Sequence, residues 1–430
     1  MSTETVAPNQ HTSKTAVVAG FIGNVLEWFD YAIYGYFAVA ISHNFFPTDD
    51  DIVSLLLTFL VFGLGFVARP LGAFIFGRLG DKMGRKNTLA LTVIMMGSCT
   101  FIMGCLPTYA QIGIAAPIIL TIVRLGQGIA CGGEWGSAVS FLGEYARKDN
   151  RAFIISFSQI GTAIGLLCGA LMGMLFTNIM PEEVFLSWGW RIAFLLGIVI
   201  AFVGYYIRKG VDETPVFKKM EVLESPIKTA FKTHGTTIVK QFFLAGAAHI
   251  TYWLIFSYMV TYVNVFLKLP MKAGFSLTAV ILITYMVVLP FNGMLADKFG
   301  RKPMMIIGGA GLCVFAYPLY SVLAHATTFA TMALVGIALS TMFAMWNGSV
   351  TCLMNELYPA KIRVTAFSLA YQFSSAVFAG TALMIATWLV NKTGNVMAMP
   401  IYIIAAQAMG LFVIIFLLKE TMHLNYERDK

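Results

Sequence analysis

The sequence predicts an all-α integral membrane protein: twelve transmembrane helices in two pseudo-symmetric six-helix bundles. Three observations carry this. Of 430 residues, 58% are hydrophobic and only 12% charged, and mean hydropathy is +0.77; a soluble domain is about a quarter charged, because its surface faces water. Apolar runs of about twenty residues, the helical length that crosses a hydrocarbon core, recur from end to end. A charged loop motif appears twice, almost half a chain length apart.

The spans fall between Gly, Pro and charged interruptions. Span one, 17–42, follows a polar start (Met1 to Lys14) without a signal-peptide pattern. Span two, 52–76, begins after Asp49 and Asp50 and ends before Arg78. Spans three and four, 88–106 and 112–143, lie between Lys86 and Glu144 and are parted by Pro107. Spans five and six, 152–178 and 188–207, follow Arg151 and are parted by Pro181, Glu182 and Glu183. The stretch 208–239 is the one long polar connection, and it divides the chain into 1–207 and 240–430. Beyond it come 240–266, 274–295, 304–324, 328–355, 364–390 and 396–418.

With the N-terminus inside, 23 of the 29 Lys and Arg residues fall on cytoplasmic segments; outside remain Lys268, Lys272 and Lys392. Positive-inside topology therefore places both termini in the cytoplasm and requires an even number of spans. The net charge of +8 lies in short clusters between spans, not on a phosphate-binding face, so no nucleic-acid partner is expected. A β-barrel is excluded because the apolar runs are continuous rather than alternating. Six cysteines sit inside apolar stretches without paired spacing, so neither a disulfide framework nor a metal site is implied. The six scattered histidines offer no nucleophile–base or metal cluster, so an enzyme is not expected.

The stretch from Gly77 through Asp81 to Arg85 and Lys86 recurs from Gly293 through Asp297 to Arg301 and Lys302, an offset of 216 residues. Glu144 with Arg151, and Glu356 with Arg363, repeat at an offset of 212. Each motif sits at the same place in its half, as a duplicated six-helix unit requires.

The doubled loop motif resembles the signature of the major facilitator superfamily. Further stretches narrow the resemblance to its metabolite–proton symporter branch: Glu27-Trp28-Phe29-Asp30-Tyr31, Ala68-Arg69-Pro70, Arg124-Leu125-Gly126-Gln127-Gly128, Gly133-Glu134-Trp135-Gly136, Trp190-Arg191 and Asp212-Glu213-Thr214-Pro215. It covers essentially the whole chain and is nearest to proline/betaine porters, with α-ketoglutarate, citrate and shikimate carriers as relatives. Osmosensing members of that group carry a long C-terminal coiled coil; here a dozen residues follow the last span, and that device is not expected.

Charges deep in a bilayer cost about 2.5–3.5 kcal/mol each on insertion scales and so mark pathways. Glu27 and Asp30 lie mid-span at i and i+3, on one helical face, with Arg124 at a similar depth in span four. An Asp30–Arg124 pair there would couple protons to substrate, with a purely structural ion pair as the alternative; the resemblance supports the coupling role. Glu27 and then Glu134 are further candidate proton carriers. Arg69 either faces the cavity or pairs within its own half, and Arg191 is expected as an interfacial anchor beside Trp188 and Trp190.

Asp81 is expected to meet the N-terminal end of span eleven and pair with Arg363, and Asp297 to meet Arg151 at span five, with Arg85 and Arg301 beside them. Such contacts would latch the cytoplasmic side.

In the superfamily that the chain resembles, spans one, four, seven and ten line the cavity. They hold Trp28, Trp135, Trp253 and Trp346, with Tyr31, Tyr252 and Asn347 beside them. Helical phasing places Trp135 on the Arg124 face. Aromatic faces suit quaternary ammonium through cation–π attraction. No Lys or Arg lies deep in a C-terminal span, and His249 is the one titratable cation candidate there. One arginine for one carboxylate plus an aromatic box matches a zwitterion.

The expected function is therefore proton symport of a zwitterionic osmolyte such as proline or glycine betaine, by alternating access. An organic-acid symporter of the α-ketoglutarate, citrate or shikimate class is the alternative, and a transporter-like nutrient sensor is a second one. The expected partners are a small-molecule substrate, protons and the lipid bilayer, with no cofactor beyond the proton gradient. A monomer in a bacterial inner membrane is expected.

Overall fold

The computed structural model describes residues 24–83, 85–132, 134–209 and 226–423. They form twelve helical rods and, among the described residues, no strand. The N-terminal set is α1 (24–36 and Ala38–Phe45), α2 (Asp51–Val67 and Arg69–Met83), α3 (Arg85–Cys105), α4 (Ala115–Ala130 and Glu134–Tyr145), α5 (Arg151–Ile179) and α6 (Arg191–Lys209). The C-terminal set is α7 (Pro226–Phe256, continuing through Tyr258–Thr261 and Tyr262–Phe266), α8 (Met271–Phe299), α9 (Arg301–Ala324), α10 (Phe329–Glu356), α11 (Ala360–Ser374, Ser375–Ala379 and Gly380–Thr393) and α12 (Ala398–Phe412 and Val413–Leu417). Each rod overlays one expected span.

The polar connection 208–239 is helical in part: α7 begins at Pro226, the position where a helix accepts proline because the first N–H has no partner anyway, and non-helical backbone at His234 kinks it ahead of the span. One expectation changes. The single span 112–143 is broken after Ala130, where Cys131 and Gly132 leave the helix. Similar interruptions mark α1 at Phe37 and α2 at Ala68, just before Arg69-Pro70.

Within each half the helices pack in corresponding pairs, α3 on α6 and α9 on α12. The halves meet through α5 with α8 and through α2 with α11. Glycines permit these approaches: a Cβ on Gly63 would overlap the Gly380 carbonyl, and one on Gly173 would overlap the Phe275 ring. Without side chains the rods come close enough for dispersion contacts, the main attraction between helices in lipid. Exposed apolar residues such as Phe202, Ile179 and Phe416 lie on the outside of the molecule, the reverse of a soluble protein and the requirement for a lipid-facing surface.

Candidate functional site

The site begins on α1. Glu27, Trp28, Asp30 and Tyr31 are all buried, and the i, i+3 spacing of the two acids gives each its own arginine system. Arg69 enters from the second segment of α2. Its Nη2 lies 3.5 Å from Glu27 Oε1, and its Nε donates to the Tyr31 hydroxyl at 3.2 Å. Its guanidinium stands 4.4 Å from the centre of the Tyr31 ring and 4.7 Å from that of Phe66. Of the two placements open to Arg69, the structure shows the pair within its own half.

Arg124 enters from α4 and reaches the same tyrosine, 4.4 Å from its ring centre, with Tyr34 at 4.5 Å and Phe62 at 5.1 Å. It does not touch Asp30 directly, which corrects the expected ion pair. Arg124 Nη1 donates to Gln127 Oε1 at 2.7 Å. Gln127 Nε2 donates to Thr100 Oγ1 at 2.7 Å, and Thr100 Oγ1 donates to Asp30 Oδ2 at 2.7 Å. The physical reason is aromatic: the guanidinium is held over three ring faces, and the polar side chains of α3 and α4 span the remaining gap. Arg124 Nε and Nη2 are buried with no hydrogen-bond partner among the described residues.

The aromatic residues divide. Trp28 lines a small central cavity of about 20 Å³ together with Gln159, His249, Tyr252, Asn347 and Tyr371. That volume holds about one water-sized sphere, so a larger molecule enters only when helices separate. The cavity walls come from both halves and are tied across them: Gln159 Nε2 donates to Thr351 Oγ1 at 2.8 Å, and the Tyr252 hydroxyl to Thr162 Oγ1 at 3.3 Å. Asn347 donates to the Tyr285 hydroxyl. Trp253 stacks on Trp28 at 5.9 Å and packs on Phe62 and Phe66.

Two tryptophans stand behind the cavity wall. Trp135 stacks at 4.0 Å on Tyr371, itself a wall residue, and on Phe367, while Arg124 lies over Tyr31, Tyr34 and Phe62. Trp346 is fully buried in a notch made by Gly309 of α9 and Gly410 of α12, and it is the adjacent Asn347 that lines the cavity. Arg191 donates to the Gly104 and Leu106 carbonyls at 2.9 and 2.6 Å, tying α6 to the end of α3; Trp188 is exposed, and Trp190 is buried.

At the loop-motif end of the bundle, Asp297 accepts from the backbone N–H groups of Ala152 and Phe153, both at 2.9 Å. The carboxylate thus caps the positive end of α5. It meets α5 through the backbone rather than through the Arg151 side chain, which instead pairs with Glu356 at 3.0 Å. Glu356 also pairs with Arg301 at 3.1 Å, and Arg301 with Asp297 at 3.1 Å. Asn355 Nδ2 donates to Ser140 Oγ at 3.0 Å, a further tie between the halves. Arg363 is buried, and its Nε donates to the Tyr358 carbonyl at 3.1 Å. The side chains of Asp81, Arg85 and Glu134 lie outside the described residues.

The residues that sequence reasoning left unassigned are Thr100, Gln127, Gln159, Tyr371 and Glu356, with His249 set aside as a packing residue. Gln127 and Gln159 carried a signal, being amides inside apolar spans; Gln127 also stands at i+3 from Arg124. His249 now lies on the cavity wall, 4.6 Å from the Tyr371 ring, with Nε2 unpartnered.

Residues 15–241 and 217–428 match the model of the sugar (and other) transporter family. The chain belongs to that family, within the major facilitator superfamily. It is a multi-pass membrane transporter of the twelve-helix type. Among similar proteins of this family, the glycine betaine/proline/ectoine/pipecolic acid transporter OusA of Dickeya dadantii is 32% identical over 421 residues, 95% of this chain and 83% of that protein. The proline/betaine transporter of Escherichia coli K12 is 33% identical over 411 residues, 93% of this chain and 82% of that one. A putative proline/betaine transporter of Staphylococcus aureus strain COL is 34% identical over 417 residues, covering 94% and 88%. In fold, the crystal structure of the D-xylose–proton symporter superposes with a TM-score of 0.76 at 18% identity, covering 95% of this chain and 98% of that one.

Proposed function

We propose that this transporter couples proton entry to uptake of a small zwitterion, proline or glycine betaine, across a bacterial inner membrane, with both termini in the cytoplasm and the protein acting as a monomer. The observation that carries the reading is Arg124: a buried guanidinium with two unpartnered donors, joined to a buried carboxylate only through neutral side chains. Two free donors of one guanidinium fit one carboxylate in the bidentate manner. Arg69, the other deep arginine, also has one donor, Nη2, without a hydrogen bond among the described residues, but that nitrogen already faces the Glu27 carboxylate at 3.5 Å, and its Nε donates to Tyr31. The site therefore offers one carboxylate position rather than two, which favours a zwitterion over a dicarboxylate. The faces of Trp28 and Tyr252 on the cavity suit the onium end, and the relatives' names point to the same substrates.

In this reading Asp30 is the proton carrier, with Glu27 and Glu134 as lesser candidates. Arg124, Trp28, Tyr31, Tyr252 and Asn347 contact substrate. The halves 1–207 and 240–430 rock about that centre, joined by 208–239, and no cofactor takes part. The cluster of Asp297, Arg301, Glu356 and Arg151 latches the cytoplasmic side and breaks when that side opens. Arg363, Asp81 and Arg85 belong to its counterpart at α11.

The test is uptake into proteoliposomes under an imposed inward proton gradient, comparing labelled glycine betaine, proline and α-ketoglutarate. Gradient-driven uptake of betaine or proline supports the reading. Uptake of α-ketoglutarate alone overturns it and moves Arg69 and His249 into substrate binding.

A further inference from the structure

We infer that Thr100 and Gln127 are positioning residues that transmit the protonation state of Asp30 to Arg124, so that the proton and the substrate carboxylate bind cooperatively. The inference rests on the proposed symport and adds the relay to it.

The hydrogen-bond chain has a fixed direction. Arg has donors and no acceptor, so the Gln127 atom facing Arg124 at 2.7 Å must be its carbonyl oxygen. That leaves the amide N–H₂ facing Thr100, also at 2.7 Å. The Thr100 hydroxyl therefore accepts from Gln127 and has one proton of its own to give. Two acceptors lie within its reach: Asp30 Oδ2 at 2.7 Å and the Met96 carbonyl, one helical turn back on α3, at 3.0 Å.

This makes the hydroxyl a two-position switch. With Asp30 ionised, the Thr100 proton points to Oδ2, and every donor in the chain runs from the cation to the anion. Such chains polarise one another, and the carboxylate acts on Arg124 through them. When Asp30 takes a proton on Oδ2, that O–H donates into the Thr100 oxygen and the Thr100 proton turns to the Met96 carbonyl. The oxygen then accepts twice, from Asp30 and from Gln127, within its two lone pairs. The Thr100 hydroxyl, the Gln127 amide N–H₂ and Asp30 Oδ2 stay hydrogen-bonded in both states, Asp30 Oδ1 has no hydrogen-bond partner among the described residues, and no covalent bond other than the new O–H is formed.

What changes is the charge opposite Arg124. After protonation the chain ends on a neutral group, and the guanidinium, with Nε and Nη2 unpartnered, has a stronger demand for an anion. A substrate carboxylate meets it. By linkage the reverse also holds, since bound substrate favours protonation by the same factor. The other titratable groups facing Asp30 are Glu27 on its own helix, Cys99 on α3 and Cys131 after the first segment of α4, besides Arg124 itself. From α6, Gly197 presents backbone alone, with a Cβ position 3.8 Å from Asp30 Oδ1. None of these offers a second hydroxyl or amide bridge to Arg124, so the relay is specific to Thr100 and Gln127.

The experiment is binding of labelled glycine betaine and of proline to the purified full-length transporter across a pH series, in wild type, Thr100→Val, Thr100→Ser and Gln127→Met. Wild type is expected to bind more tightly as pH falls, by a factor of about ten, within the range of ordinary coupling between sites. Thr100→Val and Gln127→Met are expected to flatten that dependence while still binding, and Thr100→Ser to restore it. A structural role for Thr100 would alter affinity or yield at every pH alike, and serine rescue of the pH slope would not follow. Wild-type slopes in both Thr100→Val and Gln127→Met overturn the relay, as does a serine variant no different from valine. Gln127→Met reads the same chain from another helix, so failure of one variant to fold leaves the other decisive. Absence of betaine and proline binding in wild type itself instead sinks the symport reading.

Discussion

At the scale of single residues, Trp28 joins the two parts of the centre. Its ring is on the cavity wall and also 5.8 Å from the Arg69 guanidinium. Trp28→Ala should raise the KM for glycine betaine about ten-fold, within the range for a desolvated cation–π contact, and raise that for proline less, because a quaternary ammonium has no N–H to use instead. Equal effects on both substrates, measured in proteoliposomes, would mean that Trp28 packs the site without reading the onium group. Trp346→Phe should leave both KM values unchanged and lower the thermal midpoint, since its ring fills a glycine notch between α9 and α12 rather than the cavity wall. The acids and arginines of the centre were legible in the sequence because a charge inside an apolar span stands out. Thr100 and Gln127 were less so: a neutral polar residue costs little in a helix, and only the three-dimensional chain of 2.7 Å contacts shows its role.

At the scale of helices, the twelve rods were readable from hydropathy, but their breaks were not. The phase argument that joined Trp135 to Arg124 assumed a continuous α4, and the interruption at Cys131 and Gly132 removes that assumption. The start of α7 was hidden for another reason: the residues after Pro226 are polar and helical at once, and hydropathy measures only the first property. The crossing of α2 and α11 depends on paired glycines. Gly63→Val puts a side chain into the Gly380 backbone and should destabilise the protein by about 1–3 kcal/mol, the usual range for overpacking. Gly63→Ala should cost less. Thermal unfolding in detergent measures both, and an unchanged midpoint for the valine variant would show that the helices separate freely there.

At the scale of the whole molecule, the duplicated motifs announced two related halves, and the structure shows how one copy is used. Asp297 caps α5 of the other half, and Glu356 holds Arg151 and Arg301 together across the divide. Glu356 was visible only as part of a repeated Glu–Arg spacing, because sequence order does not say which of several nearby cations a carboxylate meets. Glu356→Gln removes the carboxylate that Arg151 and Arg301 share, while Arg301 keeps Asp297, and should cost about 1–3 kcal/mol, the range for losing one buried hydrogen-bonded partner. It should also increase labelling of a cysteine placed at Ser140, which meets Asn355 beside the proposed latch. Wild-type stability together with wild-type labelling would remove the latch from the account.

The central claim is that Asp30 carries the proton that drives substrate uphill, and steady-state accumulation of glycine betaine in proteoliposomes under an imposed proton gradient tests it most directly. In wild type, accumulation should rise with the gradient. Asp30→Asn should bring internal and external betaine to equality while preserving exchange of betaine across the membrane, because the binding site remains and the proton carrier does not. Gradient-dependent accumulation by Asp30→Asn at the wild-type level would contradict the account.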